Sequence, residues 1–207
     1  MASKFSSLQI FLLLVASFAI VQMVKAGDPN ILSDFLVPAN TIIDGNFFTY
    51  TGMRALVNST PIAFTVTKAS MAEFPALNGQ SVSYAALQFP AGTTNPPHTH
   101  PRSAELLFVV HGSLQVGFVD TTNKLYTQTL QLGDMFIFPK GLVHFQYNAD
   151  PQKPALAISA FGSASAGTVS LPATLFLTNI DDNILAKSFK TDAQTIQALK
   201  AGLAPKS

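Results

Sequence analysis

Between residues 81 and 161 short apolar runs alternate with clusters of Gly, Pro, Asn and Asp. The runs are of strand length, and several put apolar residues on alternate positions. They predict strands over 81–89, 106–110, 114–119, 125–130, 135–138, 143–148 and 155–161. The stretch 92–97 between the first two reads as a loop in which Asn95-Pro96-Pro97 forces extended backbone. Residues 106–110 are apolar on both faces, as in a strand that is central in a sandwich or pressed against a neighbouring subunit. Asp120-Thr-Thr-Asn123-Lys124 is a hairpin signal between 114–119 and 125–130. Many short strands with such turns predict an all-β antiparallel sandwich or barrel.

The flanks differ. Residues 27–46 predict an extended arm with short strands, stapled down by Phe35, Leu36, Ile42 and Ile43. A strand and turn is expected over 47–58, and residues 62–74 alternate weakly. After Thr168 the period lengthens, predicting short helices over 184–189 and 193–201, the second capped by Thr191-Asp192 and stopped by Gly202. Helices this short need a surface to dock on.

The first 26 residues carry Lys4, an apolar run over 10–21 and a small residue, Ala26, before Gly27. That pattern predicts a cleaved secretory signal peptide over 1–26. The run falls short of the ~20 apolar residues a membrane span needs, and no later stretch supplies them. The expected organisation is one domain over 27–207: an arm with strands (27–80), a barrel core (81–170) and a helical segment (171–207).

Composition changes the picture in two places. Hydrophobic residues make up 48% of the chain and charged ones 11%, so burial against other copies of the chain is expected. All 11 acidic residues follow Ala26, whereas two of the 12 basic ones, Lys4 and Lys25, precede it. The mature chain then carries 10 basic residues and a formal charge of −1, which argues against a nucleic-acid footprint. There is no cysteine, so stability must come from burial, association or metal. Asn58-Ser59-Thr60 is a glycosylation acceptor, with Pro61 directly after it.

All four histidines, and one of the two glutamates, fall in two stretches: GTTNPPHTHPRSAELLFVVHG and GDMFIFPKGLVHFQYN. His98 and His100 are two apart and can share a strand face, Glu105 can approach past Pro101, and His144 shares a face with Gln146 and Asn148. A lone His-x-His is commonplace in strands; a Glu at fixed offset and a distant His in a Pro-x-Gly-x-x-His turn make a metal shell. Gln146 and Asn148 are then expected to orient ligands or line a cavity. His111 is expected on the surface, Arg102 in a solvated or interface ion pair, and Glu73 as an exposed charge. Three imidazoles and a carboxylate leave two octahedral positions open, which suits manganese or iron better than structural zinc, although affinity alone favours copper or zinc.

The two stretches resemble the paired boxes of the germin and germin-like branch of the cupins. Gly92, His98, His100, Glu105 and Gly112 fall on G-x5-H-x-H-x3,4-E-x6-G; Gly133, Pro139, Gly141, His144 and Asn148 fall on G-x5-P-x-G-x2-H-x3-N. The resemblance implies a cupin jelly-roll β-barrel with short C-terminal α-helices, secreted to the plant apoplast or cell wall. It implies Mn2+ held by His98, His100, Glu105 and His144, a homohexamer built as a trimer of dimers, and a link to defence.

The resemblance also implies superoxide dismutase or oxalate oxidase activity. Leu36 stands where the family usually has a disulfide-forming cysteine. Of the two asparagines that help bind oxalate in the oxalate-oxidising germins, one matches Asn95, a substrate-contact candidate, and the other falls on Ala85. The expectation is therefore dismutation of superoxide, ahead of a non-enzymatic, metal-stabilised binding or structural role, with oxalate oxidation disfavoured.

Overall fold

The computed structural model describes residues 27–204. The expected signal peptide, residues 1–26, lies outside the described residues. Among the described residues ten strands form two five-stranded antiparallel sheets. The first runs β1 (Thr65–Ala69), β2 (Ser83–Phe89), β9 (Ala155–Phe161), β4 (Glu105–His111), β7 (Met135–Phe138). The second runs β10 (Val169–Ser170), β3 (Thr94–Thr99), β8 (Val143–Tyr147), β5 (Leu114–Val119), β6 (Leu125–Leu130). The two antiparallel sheets are the all-β sandwich that the pattern predicts, in the jelly-roll form that the family resemblance implies.

Alternation builds the core. Leu87 and Phe89 of β2, Leu107 and Val109 of β4, Leu114 and Val116 of β5, and Phe138 of β7 are at most 3% exposed and pack as one cluster. The β5–β6 hairpin is closed by the Asp120 carboxylate, which accepts from the backbone N–H groups of Thr122 and Lys124. Asn123, at φ 64°, takes the left-handed position there. Gly112, at φ 75°, passes so close to the Pro154 carbonyl that a Cβ would lie 2.7 Å from it.

Three helices follow: α1 (Leu171–Phe176), α2 (Asp182–Phe189) and α3 (Ala193–Leu203). Asp181 caps α2 and Asp192 caps α3 through their side chains. Leu185, Ala186 and Ile196 form a second small core with Phe176 and Ile180.

Several expectations fail for physical reasons. Residues 47–58 contain a 3-10 helix, Gly52–Asn58, instead of a strand. The expected 92–97 loop is strand from Thr94, because the two prolines hold extended backbone as a strand does. The arm, expected to be stapled and to carry strands, has no strand among the described residues before β1, and Leu36, Ile42 and Ile43 are 36%, 82% and 53% exposed. Only Phe35 of the four named residues makes an aromatic contact, edge-on to Phe48. Gly202 lies within α3, which continues to Leu203. Both β10 and α1 were invisible to the pattern, being only two and six residues long.

Candidate metal centre

Prolines 96 and 97 have no N–H for the ladder, and the β3–β8 register shifts between Asn95 and His98. The shift leaves Asn95 opposite Gln146 and His98 opposite His144. His100 follows the end of β3, and Glu105 opens β4 in the other sheet, so the two sheets contribute to one point. His98, His100, Glu105 and His144 are all buried, and one ligand atom from each lies within 4.8 Å of the others. Glu105 Oε2 is 3.0 Å from Nε2 of both His100 and His144, and 4.0 Å from Nε2 of His98.

The opposite ring nitrogens settle the proton positions. Nδ1 of His98 donates to the Pro96 carbonyl and Nδ1 of His144 to the Leu142 carbonyl, each at 2.8 Å. Nδ1 of His100 donates to the Gly167 carbonyl. A carbonyl only accepts, so each neutral ring carries its proton on Nδ1 and turns the Nε2 lone pair inward. Burial, and then repulsion from His144, pushes His98 down to about 4, so this ring is neutral at neutral pH. Without a cation, burial would push the Glu105 carboxyl up, but Nε2–H donation and positive charge from His100 and His144, when a ring holds a second proton, outweigh it and hold it well below the usual carboxylate range. With all three rings neutral, three lone pairs and an anionic oxygen converge with no proton donor among the four. A cation is the group that fits such a donor set.

Neighbouring side chains hold the carboxylate still. Glu105 Oε1 accepts from Ser159 Oγ at 2.6 Å and from Gln146 Nε2 at 3.1 Å. The Gln146 carbonyl oxygen accepts from Asn95 at 2.8 Å. Phe138 stacks on His144 and Phe161 meets His100 edge-on, filling the walls with apolar surface. A cavity of about 450 Å³ reaches His98, His100 and Glu105 and is also lined by Ala85, Asn95, Leu87 and Phe161.

The chain matches the Cupin family over residues 54–197. It is 63% identical to germin-like protein 9-3 of Oryza sativa subsp. japonica, over 97% of both chains. This chain belongs to the germin-like branch of the cupins. The putative germin-like protein 9-2 of the same plant is 62% identical, over 99% of this chain and 98% of the relative. Among solved structures, an oxalate oxidase in complex with the substrate analogue glycolate superposes with a TM-score of 0.76 at 31% identity, covering 87% of this chain and all of that one. The buried group of three histidines and one glutamate makes it a metal-binding germin-like protein.

Two residues named from the sequence lie elsewhere. Asn148 does not touch the four: its amide donates to the carbonyls of Phe89, Pro90 and Lys153, and its Oδ1 accepts from the Asp150 N–H. It pins the loop before β9, a use its place in the motif did not reveal. Arg102 donates to the Ser165 carbonyl and hydroxyl, and among the described residues of this chain it pairs with no carboxylate. His111 and Glu73 are exposed, as expected. Ser159 belongs to neither motif, although a lone polar residue on the inner face of Ala155–Phe161 was a readable signal.

Proposed function

We propose that this germin-like chain is a secreted manganese protein that dismutes superoxide in the plant apoplast or cell wall, in the service of defence. The observation that carries the reading is the convergence of three Nε2 lone pairs and the Glu105 carboxylate beside an open cavity. Manganese bound there would supply a one-electron couple, so that two superoxide anions and two protons become dioxygen and hydrogen peroxide. The backbone carbonyls of residues 96, 142 and 167 keep the rings aimed. Ser159 and Gln146 keep the carboxylate oriented, and Asn95 lines the cavity beside His98, its amide nitrogen 3.4 Å from Nε2.

Ala85 supports placing oxalate oxidation lower. It is 5% exposed and lines the cavity with a methyl group where the oxalate-oxidising germins carry an asparagine. Losing one donor to a charged ligand costs roughly 1.5–3 kcal/mol. The expected mature chain starts at Gly27 and is one domain. Its proposed assembly is a hexamer, a trimer of dimers, supported by apolar side chains left exposed on the outer face of β4 and β7. Asn58, at the end of the 3-10 helix, is the proposed glycosylation site.

The test is dismutation by purified manganese-loaded protein against the same concentration of free manganese. Activity above free metal that disappears in His98→Ala is expected; equal activity overturns the reading. The apolar part of the cavity lining, Val66, Ala85, Leu87 and Phe161, favours a second reading, a metal-stabilised binding protein for a small organic ligand. Its mark is a metal-dependent rise in melting temperature without turnover.

A further inference from the structure

Two of the three imidazoles are oriented by their own turn of chain: His98 and His144 each donate to a carbonyl two residues upstream. His100 instead depends on Gly167, 67 residues downstream. Gly167 lies in a strap, residues 162–168, that carries the chain from β9 to β10. Its φ of +71° is one that L side chains rarely adopt, and a Cβ there would lie 2.7 Å from the Arg102 guanidinium and push it off its place. Orientation of His100 is therefore only as good as the anchoring of the strap.

The anchors come from four places. Arg102 holds Ser165 and, through its N–H, the Ala166 carbonyl. Ser83 Oγ donates to the Ser163 carbonyl at 2.6 Å, and the Met71 N–H to the Ala164 carbonyl at 2.9 Å. The fourth anchor is Asp28, in the arm. Its Oδ1 accepts from Ser163 Oγ at 2.6 Å and its Oδ2 from the Ala164 N–H at 2.7 Å. Ser163 and Ala164 are each 1% exposed, so without Asp28 two buried donors lose their partner and the strap must move to find others.

We propose that Asp28 is a positioning residue for the metal centre: by bracing Ser163 and Ala164 it fixes the strap whose Gly167 carbonyl aims the His100 imidazole. Asp28 is also the second residue after the expected signal-peptide cut, so trimming the mature chain by two residues would leave the barrel intact and loosen its metal. The proposal rests on the reading that the four ligands hold a metal ion.

Cobalt(II) loaded into the mature chain gives readouts independent of activity: its ligand-field absorption and its release into excess EDTA. Asp28→Ala is expected to shift the absorption bands and release cobalt about 10-fold faster, the low end of the range for a ligand's direct partner, because Asp28 reaches His100 only through the strap. Asp28→Asn, which keeps one acceptor, is expected to fall between it and the parent and serves if the alanine variant does not fold. Asp182→Ala, which breaks the Lys200 pair among the helices, is expected to lower the melting temperature while leaving both readouts unchanged. Cobalt spectra and release unchanged in both Asp28 variants overturn the proposal. If His98→Ala binds cobalt as the parent does, the metal reading itself falls, and this proposal with it.

Discussion

The two faces of β4 carry the same class of residue and meet opposite fates. Inward, Leu107 and Val109 are fully buried and Glu105 is 1% exposed. Outward, Leu106, Phe108 and Val110 are 37–39% exposed. Across the ladder, Ile137 pairs with Leu106 and Met135 with Phe108, and both are more than half exposed, so the outer ridge continues onto β7. The inner face is completed by this chain's own second sheet. The outer one is not, and a contiguous apolar face of this kind marks a contact surface. One strand thus has two jobs, and the difference lies in what covers each side.

The inner face should be the costlier one to change. Glu105→Ala removes the acceptor of Ser159 and Gln146 together with the only carboxylate among the four ligands. Metal affinity is expected to fall by more than about 100-fold, beyond the range for a partner one step removed. Calorimetric titration checks this, and affinity within tenfold of the parent would mean the carboxylate is no ligand. Leu107→Ala, in the middle of the same face, is expected to cost about 2–5 kcal/mol in denaturant unfolding of the metal-free protein.

Acid should act on the same face. His98 is held neutral down to about 4, whereas its unfolded counterpart takes a proton near the ordinary 6.5. Between those values the unfolded chain binds more protons, so the stability of the metal-free protein is expected to fall as pH drops from 6.5 to about 4. Glu105, held ionised, adds to the loss lower down, since its stabilising contacts require the carboxylate. Melting temperature against pH measures the slope, and His98→Gln should flatten it over the upper part of the window. An unchanged slope would show that burial of this ring is not what the acid limb reports.

The inner face was also the more legible. Alternation located 155–161, which buries every second residue up to Ser159, whereas 125–130, buried only at Leu130, was located by its turn formers and the hairpin signal before it. The four converging residues were legible because box spacing encodes a strand face. What remained hidden depends on tertiary partners. Asn148 has the polarity of a residue aimed at the site, but its amide meets three loop carbonyls instead. Nothing in the sequence joins Gly167 to His100 or Asp28 to Ser163, since those pairs form only when distant segments pack. The arm misled for the opposite reason: Ile42 and Ile43 are apolar yet stay 82% and 53% exposed among the described residues, and apolar pattern alone cannot say whose core a residue enters.

The smallest effect on folding is expected on the outer ridge, which is where the comparison can be broken most cleanly. Phe108 is 39% exposed and paired with residues that are themselves partly open. A lysine there can reach water along its stem, so Phe108→Lys should change the folding free energy of the dissociated chain by no more than about 0.5 kcal/mol. The same substitution one residue earlier, Leu107→Lys, would bury an unpaired ammonium and should prevent folding. If a second copy covers the ridge in solution, Phe108→Lys lowers the molar mass seen by light scattering while metal content stays as in the parent. An unchanged mass would show that the ridge is not the contact between copies, and a loss of metal would show that the two faces are not independent.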